Sequence, residues 1–438
     1  MPRILMLLPT STYRTGAFLG AARTLGAEVV VASEHPSVFE QAQPGRYLTL
    51  DFLNRDKAER QVRDFAQTRP IDAVVGVDDA TTVMAASLSS ALSLPHNSVA
   101  SACAAEDKHR MRDLLSQAGV PIPRYALRSL KDDLVSEASR TVFPCVVKPL
   151  TLSASRGVIR ADDEGQFVGA IRRLEGILRA PEVAASGDAA RHLLIEAFVP
   201  GREVALEGLL VKGKLQVLAL FDKPDPLDGP FFEETIYVTP SRLPAGVQAQ
   251  IASCAERAAV GLGLREGPVH AELRINRHGP WVVEVAARSI GGLCSRALRF
   301  GTGVSLEELI LRHALGIEIP SLERERHAAG VMMIPIPRAG VLKEVRGLTE
   351  AGAVPGIEEI AVTAHPGEEL VPLPEGARYP GFIFARAESP ERVEAVLREA
   401  HRRLEFVIAA PRGSGAGASG ARVTRVGAPA SPGCTGDR

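Results

Sequence analysis

Lys148 closes an apolar stretch, Val142 to Lys148, and a loop of small and hydroxylated residues follows it, Thr151-Leu152-Ser153-Ala154-Ser155-Arg156-Gly157-Val158. Such a loop lets backbone N–H groups approach phosphate oxygens. Gly157 supplies backbone freedom, and the neighbouring lysine adds a point charge. The spacing is not that of a Walker A loop, which needs G-x-x-x-x-G-K-[ST]. A surface hairpin turn with a strand-end lysine explains the same residues. Further on, Leu193 to Val204 reads as a strand, a short connection and a second strand. An apolar strand end can offer its backbone to an adenine edge, and Glu203 can accept hydrogen bonds from ribose hydroxyls. An edge strand carrying a solvated carboxylate is the alternative.

Two more positions carry acid. His270-Ala271-Glu272-Leu273-Arg274 and Val282-Val283-Glu284-Val285-Ala286 both alternate, and Asn276-Arg277-His278-Gly279 between them suits a hairpin turn. Antiparallel pairing then puts Glu272 and Glu284 on one sheet face. Two such carboxylates repel unless a cation lies between them. Oxygen ligands shared with substrate phosphates point to Mg²⁺, or Mn²⁺ in its place. Two solvent-facing glutamates would read the same way. Arg288 follows four residues later, just before Ser289-Ile290-Gly291-Gly292. Its guanidinium can grip a carboxylate or acyl phosphate bidentately, and the glycines let a backbone approach an oxyanion. A structural salt bridge competes with that reading. Asp78-Asp79, at a strand C-terminus, reads as a helix N-cap or as ligand-facing acid.

These residues need a scaffold. Over the first hundred residues short apolar runs (Ile4–Leu8, Glu28–Ala32, Ile71–Val77) alternate with helical patterns (17–26, 54–69, 81–92), which predicts a parallel α/β unit. Only Gly16 lies in the loop after the first run, so a nicotinamide-binding fingerprint is missing. Helices are expected over 110–117, 163–180, 245–261, 304–315 and 390–404, and strands dominate 192–239. The expected organisation is an N-terminal Rossmann-like α/β domain at 1–104 and a central region at 105–318 in two parts, 105–190 and 191–318. An α+β domain at 325–409 and a disordered Gly/Ala/Ser/Pro/Arg-rich tail at 410–438 complete it.

Composition narrows the function. With 438 residues, 51 Lys and Arg against 52 Asp and Glu, the chain has no basic excess for nucleic acid and no general attraction to anionic membranes. No apolar stretch is long enough to span a bilayer. The 5 cysteines are widely spaced and form no C-x-x-C, which disfavours a disulfide framework or zinc cluster. The expectation is a soluble cytoplasmic protein, with an open sheet edge able to support a homodimer.

Taken in order, Asp107-Lys108 with Gly119-Val120-Pro121-Ile122-Pro123, Val146-Val147-Lys148-Pro149, Ser155-Arg156-Gly157-Val158, Ile195 to Glu203, His270-Ala271-Glu272 and Glu284 to Gly292 resemble the ATP-grasp superfamily. The resemblance implies an ATP-grasp fold, α/β and α+β, with ATP held between two subdomains. By it, Lys108 and Lys148 contact phosphates, and Ser155 and Gly157 belong to a mobile lid. Glu196, Ala197 and Val199 form the adenine hinge, with Glu203 at the ribose. Glu272 and Glu284 ligate Mg²⁺, while Arg288, Gly291 and Gly292 face the acyl phosphate. Many members carry Asn where this chain has Ala286, and that loss removes one metal oxygen. The Glu-x-Ala-Ala-Arg-x-x-Gly-Gly variant, Phe221 to Glu234 and Ile334-Pro335-Ile336-Pro337 are similar to the L-amino-acid ligase branch, which makes dipeptides. That similarity makes His270, Lys223 and Glu234 candidates for the substrate pocket, with His270, taken as neutral at pH 7, the candidate base. It implies a carboxylate–amine ligase releasing ADP and phosphate. The alternatives are purine or bicarbonate chemistry on the same fold, and a nucleotide-binding regulatory module without catalysis.

Overall fold

The computed structural model describes residues 1–410 apart from 11, 41 and 44. The tail expected to be disordered lies, beyond Ala410, outside the described residues. The first apolar run becomes the strand Arg3–Leu7, with Ile4 to Leu7 fully buried. Burial on both faces explains the continuous apolar pattern. It is the inner strand of a parallel sheet, flanked by Glu28–Ser33 and Ala73–Gly76, with Tyr47–Thr49 at one edge. Helix Arg55–Thr68 starts where Asn54 accepts from the Lys57 N–H, a side-chain cap that fixes its first turn.

A second, antiparallel sheet is ordered Tyr125–Ser129, His192–Ala197, Cys145–Pro149, Ile159–Ala161. Helix Glu164–Leu178 covers it, burying Phe167, Ile171 and Leu174. The third sheet has eight strands. Its first part runs Gly279–Ala286, Gly267–Asn276, Arg202–Val211, Lys214–Asp222 and Ile236–Thr239. Ala328–Met333, Gly381–Ala387 and Ile357–Val362 then extend it.

The sheet thus continues across residues 318–325. Part of the C-terminal segment builds its own three-stranded sheet, but three of its strands belong to the central one. Apolar packing likewise links residues on either side of 104. One buried apolar cluster joins Ile4, Met6 and Phe18 to Phe221, Tyr237, Leu309 and Phe382. Merging of apolar faces removes more surface from water than two separate small cores would. Helices Val99–Glu106 and Leu134–Glu137 were not anticipated; both lack a strong helical repeat in sequence. No helix among the described residues is long and apolar enough to cross a membrane.

Candidate active site

Two cavities meet at one carboxylate edge. The first, of about 730 Å³, lies between the second and third sheets and is lined by Lys108, Lys148, Ser155, Glu196–Val199, Glu203, Glu272 and Glu284, among others. The second, of about 1700 Å³, opens toward the N-terminal sheet and is bordered by His270, Arg288, Gly291 and Gly292. Ser155, Glu234, Glu272 and Glu284 border both.

The charges of the first cavity are set by strand ends. Lys148 reaches Glu196 at 2.5 Å, and Arg112 holds the other Glu196 oxygen at 2.6 Å. All three side chains are buried. Burial pushes the Glu196 carboxyl up, but Arg112 and Lys148 outweigh it and hold it below the ordinary carboxylate value. Lys108 Nζ donates to the Leu152 carbonyl at 2.9 Å and lies 3.4 Å from Glu284. It thereby ties helix Lys108–Gln117 to the loop 151–158. In that loop Ala154, Ser155 and Gly157 have φ of +54°, +55° and +75°. A Cβ at Gly157 would stand 2.9 Å from Leu174 Cδ1, so the glycine serves both conformation and space. At the hinge, the Ala197 and Phe198 N–H groups donate to Arg124 and Pro144 carbonyls, and Val199 O accepts from Arg274 at 2.7 Å.

The acidic edge comes from the hairpin. Glu272 and Glu284 are register partners on adjacent antiparallel strands, as alternation predicted. A bulge follows Glu272 directly. Glu203, Glu234 and Glu272 also present oxygens within 4.8 Å of one another, a grouping able in principle to hold a cation. Lys223 Nζ already answers all three, at 2.8 Å from Glu203 and 3.3 Å from Glu272 and in contact with Glu234. Lys223 alone balances one of the three charges; Arg274 at Glu203 and His270 at Glu272 face the other two. Glu203 spends its second oxygen on Arg274 at 3.0 Å, so the expected ribose contact has to share this carboxylate. Lys223 likewise has no unanswered charge to give a substrate. Glu234 is pushed up, to about 7, by burial first and by Glu272 and Glu203, with Lys223 opposing.

His270 departs from expectation. Its Nδ1 lies 3.1 Å from buried Glu207, and its Nε2 3.5 Å from Glu272. Burial lowers the imidazole, yet Glu207 and Glu272 outweigh that and raise it to about 9. The two carboxylates favour the imidazolium at pH 7, which opposes the neutral form that the sequence reading took for His270. His270 instead orients Glu272.

Arg288 is where expected, beside Gly291 and Gly292, but its charge is answered. Nε and Nη2 grip Asp79 at 2.8 and 2.7 Å, and Nη1 donates to Ser289 O at 3.0 Å. The turn is held at two further points: Arg14 donates to Ser289 Oγ, and Glu207 accepts from the Ile290 N–H at 3.0 Å. Asp78 forms the capping box of helix Asp79–Ala91 with Thr81. Its neighbour Asp79 spans 209 residues to reach Arg288. Sequence offered the acid at a strand end; nothing in it named the partner. Ala286, buried in the chamber wall, offers no ligand atom.

Residues 141–297 match the model of the ATP-grasp domain, residues 19–96 that of the ATP-grasp N-terminal domain, and residues 332–409 that of the L-amino acid ligase C-terminal domain 2. The chain carries an ATP-grasp domain together with an ATP-grasp N-terminal domain. Among its relatives, alanine–anticapsin ligase of Bacillus subtilis is 25% identical over 47% of this chain and 46% of its own length. Carnosine synthase 1 of Gallus gallus is 28% identical over 76% of this chain and 38% of its own. The matches thus span less than half the length of these two relatives. The crystal structure of an L-amino acid ligase from Bacillus licheniformis shares the fold, with TM-score 0.75, 24% identity, and coverage of 93% of this chain and 99% of that one.

One largely buried acid near this site has no hydrogen-bond partner among the described residues. Neither Glu106 oxygen has a hydrogen bond. Burial first, then Asp79 and Asp107, raise its carboxyl to about 8 against Lys108. The unfolded chain releases this proton near 4.5, so the associated stability is present below that pH and is lost as pH rises toward 8. Glu106→Gln is therefore expected to flatten the fall in Tm between pH 5 and pH 8. Parallel Tm curves for the two proteins would remove this assignment.

Proposed function

We propose that this protein is an ATP-dependent carboxylate–amine ligase acting on amino-acid-like substrates through an acyl phosphate. The observation that carries the reading is the junction of the two cavities. A cleft with buried lysines and a lid loop meets a chamber with Arg288 and two glycines, and they share Glu272 and Glu284. In this reading ATP occupies the cleft, with Lys108 and Lys148 at its phosphates. A substrate carboxylate oxygen attacks the γ-phosphorus, the bond to the β-phosphate oxygen breaks, and ADP leaves. An amine then attacks the acyl carbon, phosphate departs, and the amine proton is lost.

Glu272 and Glu284 fit a hard divalent cation. Both are carboxylates, they face each other in register, and among the described basic residues only Lys108 lies within ion-pair distance of Glu284. Mg²⁺ bound there would offset charge on the phosphates. His270, as an imidazolium, keeps Glu272 ionised and aimed. Arg288, fixed by Asp79, has two of its five N–H groups left over for the chamber. The loop 151–158 shields the cleft, and the Gly157 N–H is docked on the Pro374 carbonyl at 2.9 Å. Exclusion of water protects an acyl phosphate from hydrolysis.

Incubation with ATP, Mg²⁺ and pooled amino acids is expected to yield ADP, phosphate and a condensed product by mass spectrometry. AMP and pyrophosphate would replace the acyl phosphate by an adenylate. Nucleotide binding without ADP release over a broad acid and amine panel would mark a regulatory module instead.

A further inference from the structure

The chamber wall contains one buried cation that no carboxylate touches among the described residues. Six Lys and Arg residues are almost wholly buried. For Lys108, Arg112, Lys148, Lys223 and Arg274 a carboxylate oxygen lies at 3.4 Å or less. The sixth, Arg14, is 1% exposed and has no such partner among the described residues. Its Nη1 donates to the Val77 carbonyl at 2.5 Å, and its Nη2 to Ser289 Oγ. Both acceptors are neutral, and Nε is buried without any partner. A desolvated cation without an anion is strongly unfavourable, and burial accordingly lowers the guanidinium's hold on its proton. Glu307 and Asp78 act on it only from a distance; the Glu307 carboxylate accepts from Ser295 instead. Arg288 next to it is already matched by Asp79. The unmatched positive charge bordering the chamber therefore belongs to Arg14.

We infer that Arg14 anchors a substrate carboxylate in this chamber. The inference deepens the ligase reading and rests on it for the nature of the ligand. A carboxylate against the guanidinium would supply the missing counter-charge in a charge-assisted hydrogen bond. Two sources share this chemistry: the carboxylate that becomes activated, and a separate carboxylate carried by the amine substrate.

The test compares each proteinogenic amino acid with its amide, by calorimetry on the full chain with ADP and Mg²⁺. Free acids that bind are expected to bind about tenfold or more tightly than their amides. Arg14→Gln is expected to abolish that preference and Arg14→Lys to keep part of it. The proposal is overturned if amides bind as well as acids, if no free acid binds, or if folded Arg14→Gln retains the full preference. Should Arg14→Gln fail to fold, the wild-type comparison and Arg14→Lys decide. Kinetics separate the sources. A KM raised on the order of 10- to 100-fold for the acid in hydroxamate formation with hydroxylamine assigns the reacting carboxylate to Arg14. A KM raised only for the amine in amide synthesis assigns the amine's own carboxylate; no change in either overturns the anchor. Absence of ADP release with every pair would sink the ligase reading, while the calorimetric preference would still decide Arg14.

Discussion

Glu284→Gln is expected to lower ADP release by about 10²- to 10³-fold while leaving the fold intact. The carboxylate borders both cavities and stands opposite Glu272 in the hairpin register. It is also the acid nearest Lys108, at 3.4 Å. Glutamine keeps the size and one oxygen but removes the charge that a divalent cation and Lys108 both require. The side chain is 32% exposed, so water replaces what the fold loses. Steady-state ADP release and Tm, measured together, check this. Turnover near the wild-type level would remove Glu284 from the metal assignment, and a collapse of Tm would show that its role is structural.

The opposite pattern is expected for Glu196→Gln. Here the loss should appear first in stability, at about 3–5 kcal/mol. Arg112 and Lys148 are both buried, and Glu196 is the acid between them. Removing it leaves two cations desolvated and close together. Burial already lowers the Lys148 ammonium from the ordinary lysine value, with Glu196 opposing. The wild type should show the matching pH dependence. Because the folded Glu196 carboxyl is held below its unfolded value, its contribution is full above that unfolded value. It is lost as pH falls through the folded one. Chemical denaturation of both proteins at pH 7 and at decreasing pH measures it. A stability change under about 1 kcal/mol would mean that the three charges are solvated rather than buried.

The pair of variants separates two uses of a glutamate that the sequence presents alike. Glu196 and Glu284 both follow an apolar run. One turns inward between two helix- and strand-borne cations; the other stays at a cavity mouth. The difference lies in what approaches from other elements.

The sequence by itself determined the periodic elements and the local pairings. Burial on both faces made Ile4–Leu8 legible as an inner strand, and alternation around Asn276–Gly279 was enough to place Glu272 opposite Glu284. The ordered motifs from Lys108 to Gly292 likewise carried the ATP-grasp resemblance. Those signals are local, because side-chain period and turn chemistry are written within a few residues. Tertiary structure alone decided how charges were matched. Asp79 reached Arg288 across 209 residues, Lys223 settled among three glutamates, and His270 became an imidazolium between Glu207 and Glu272. It also carried one sheet across the expected domain boundary, since Ala328–Met333 pairs with Ile236–Thr239. A charge's state depends on every group within a few ångströms and on how much water remains, and chain order encodes neither.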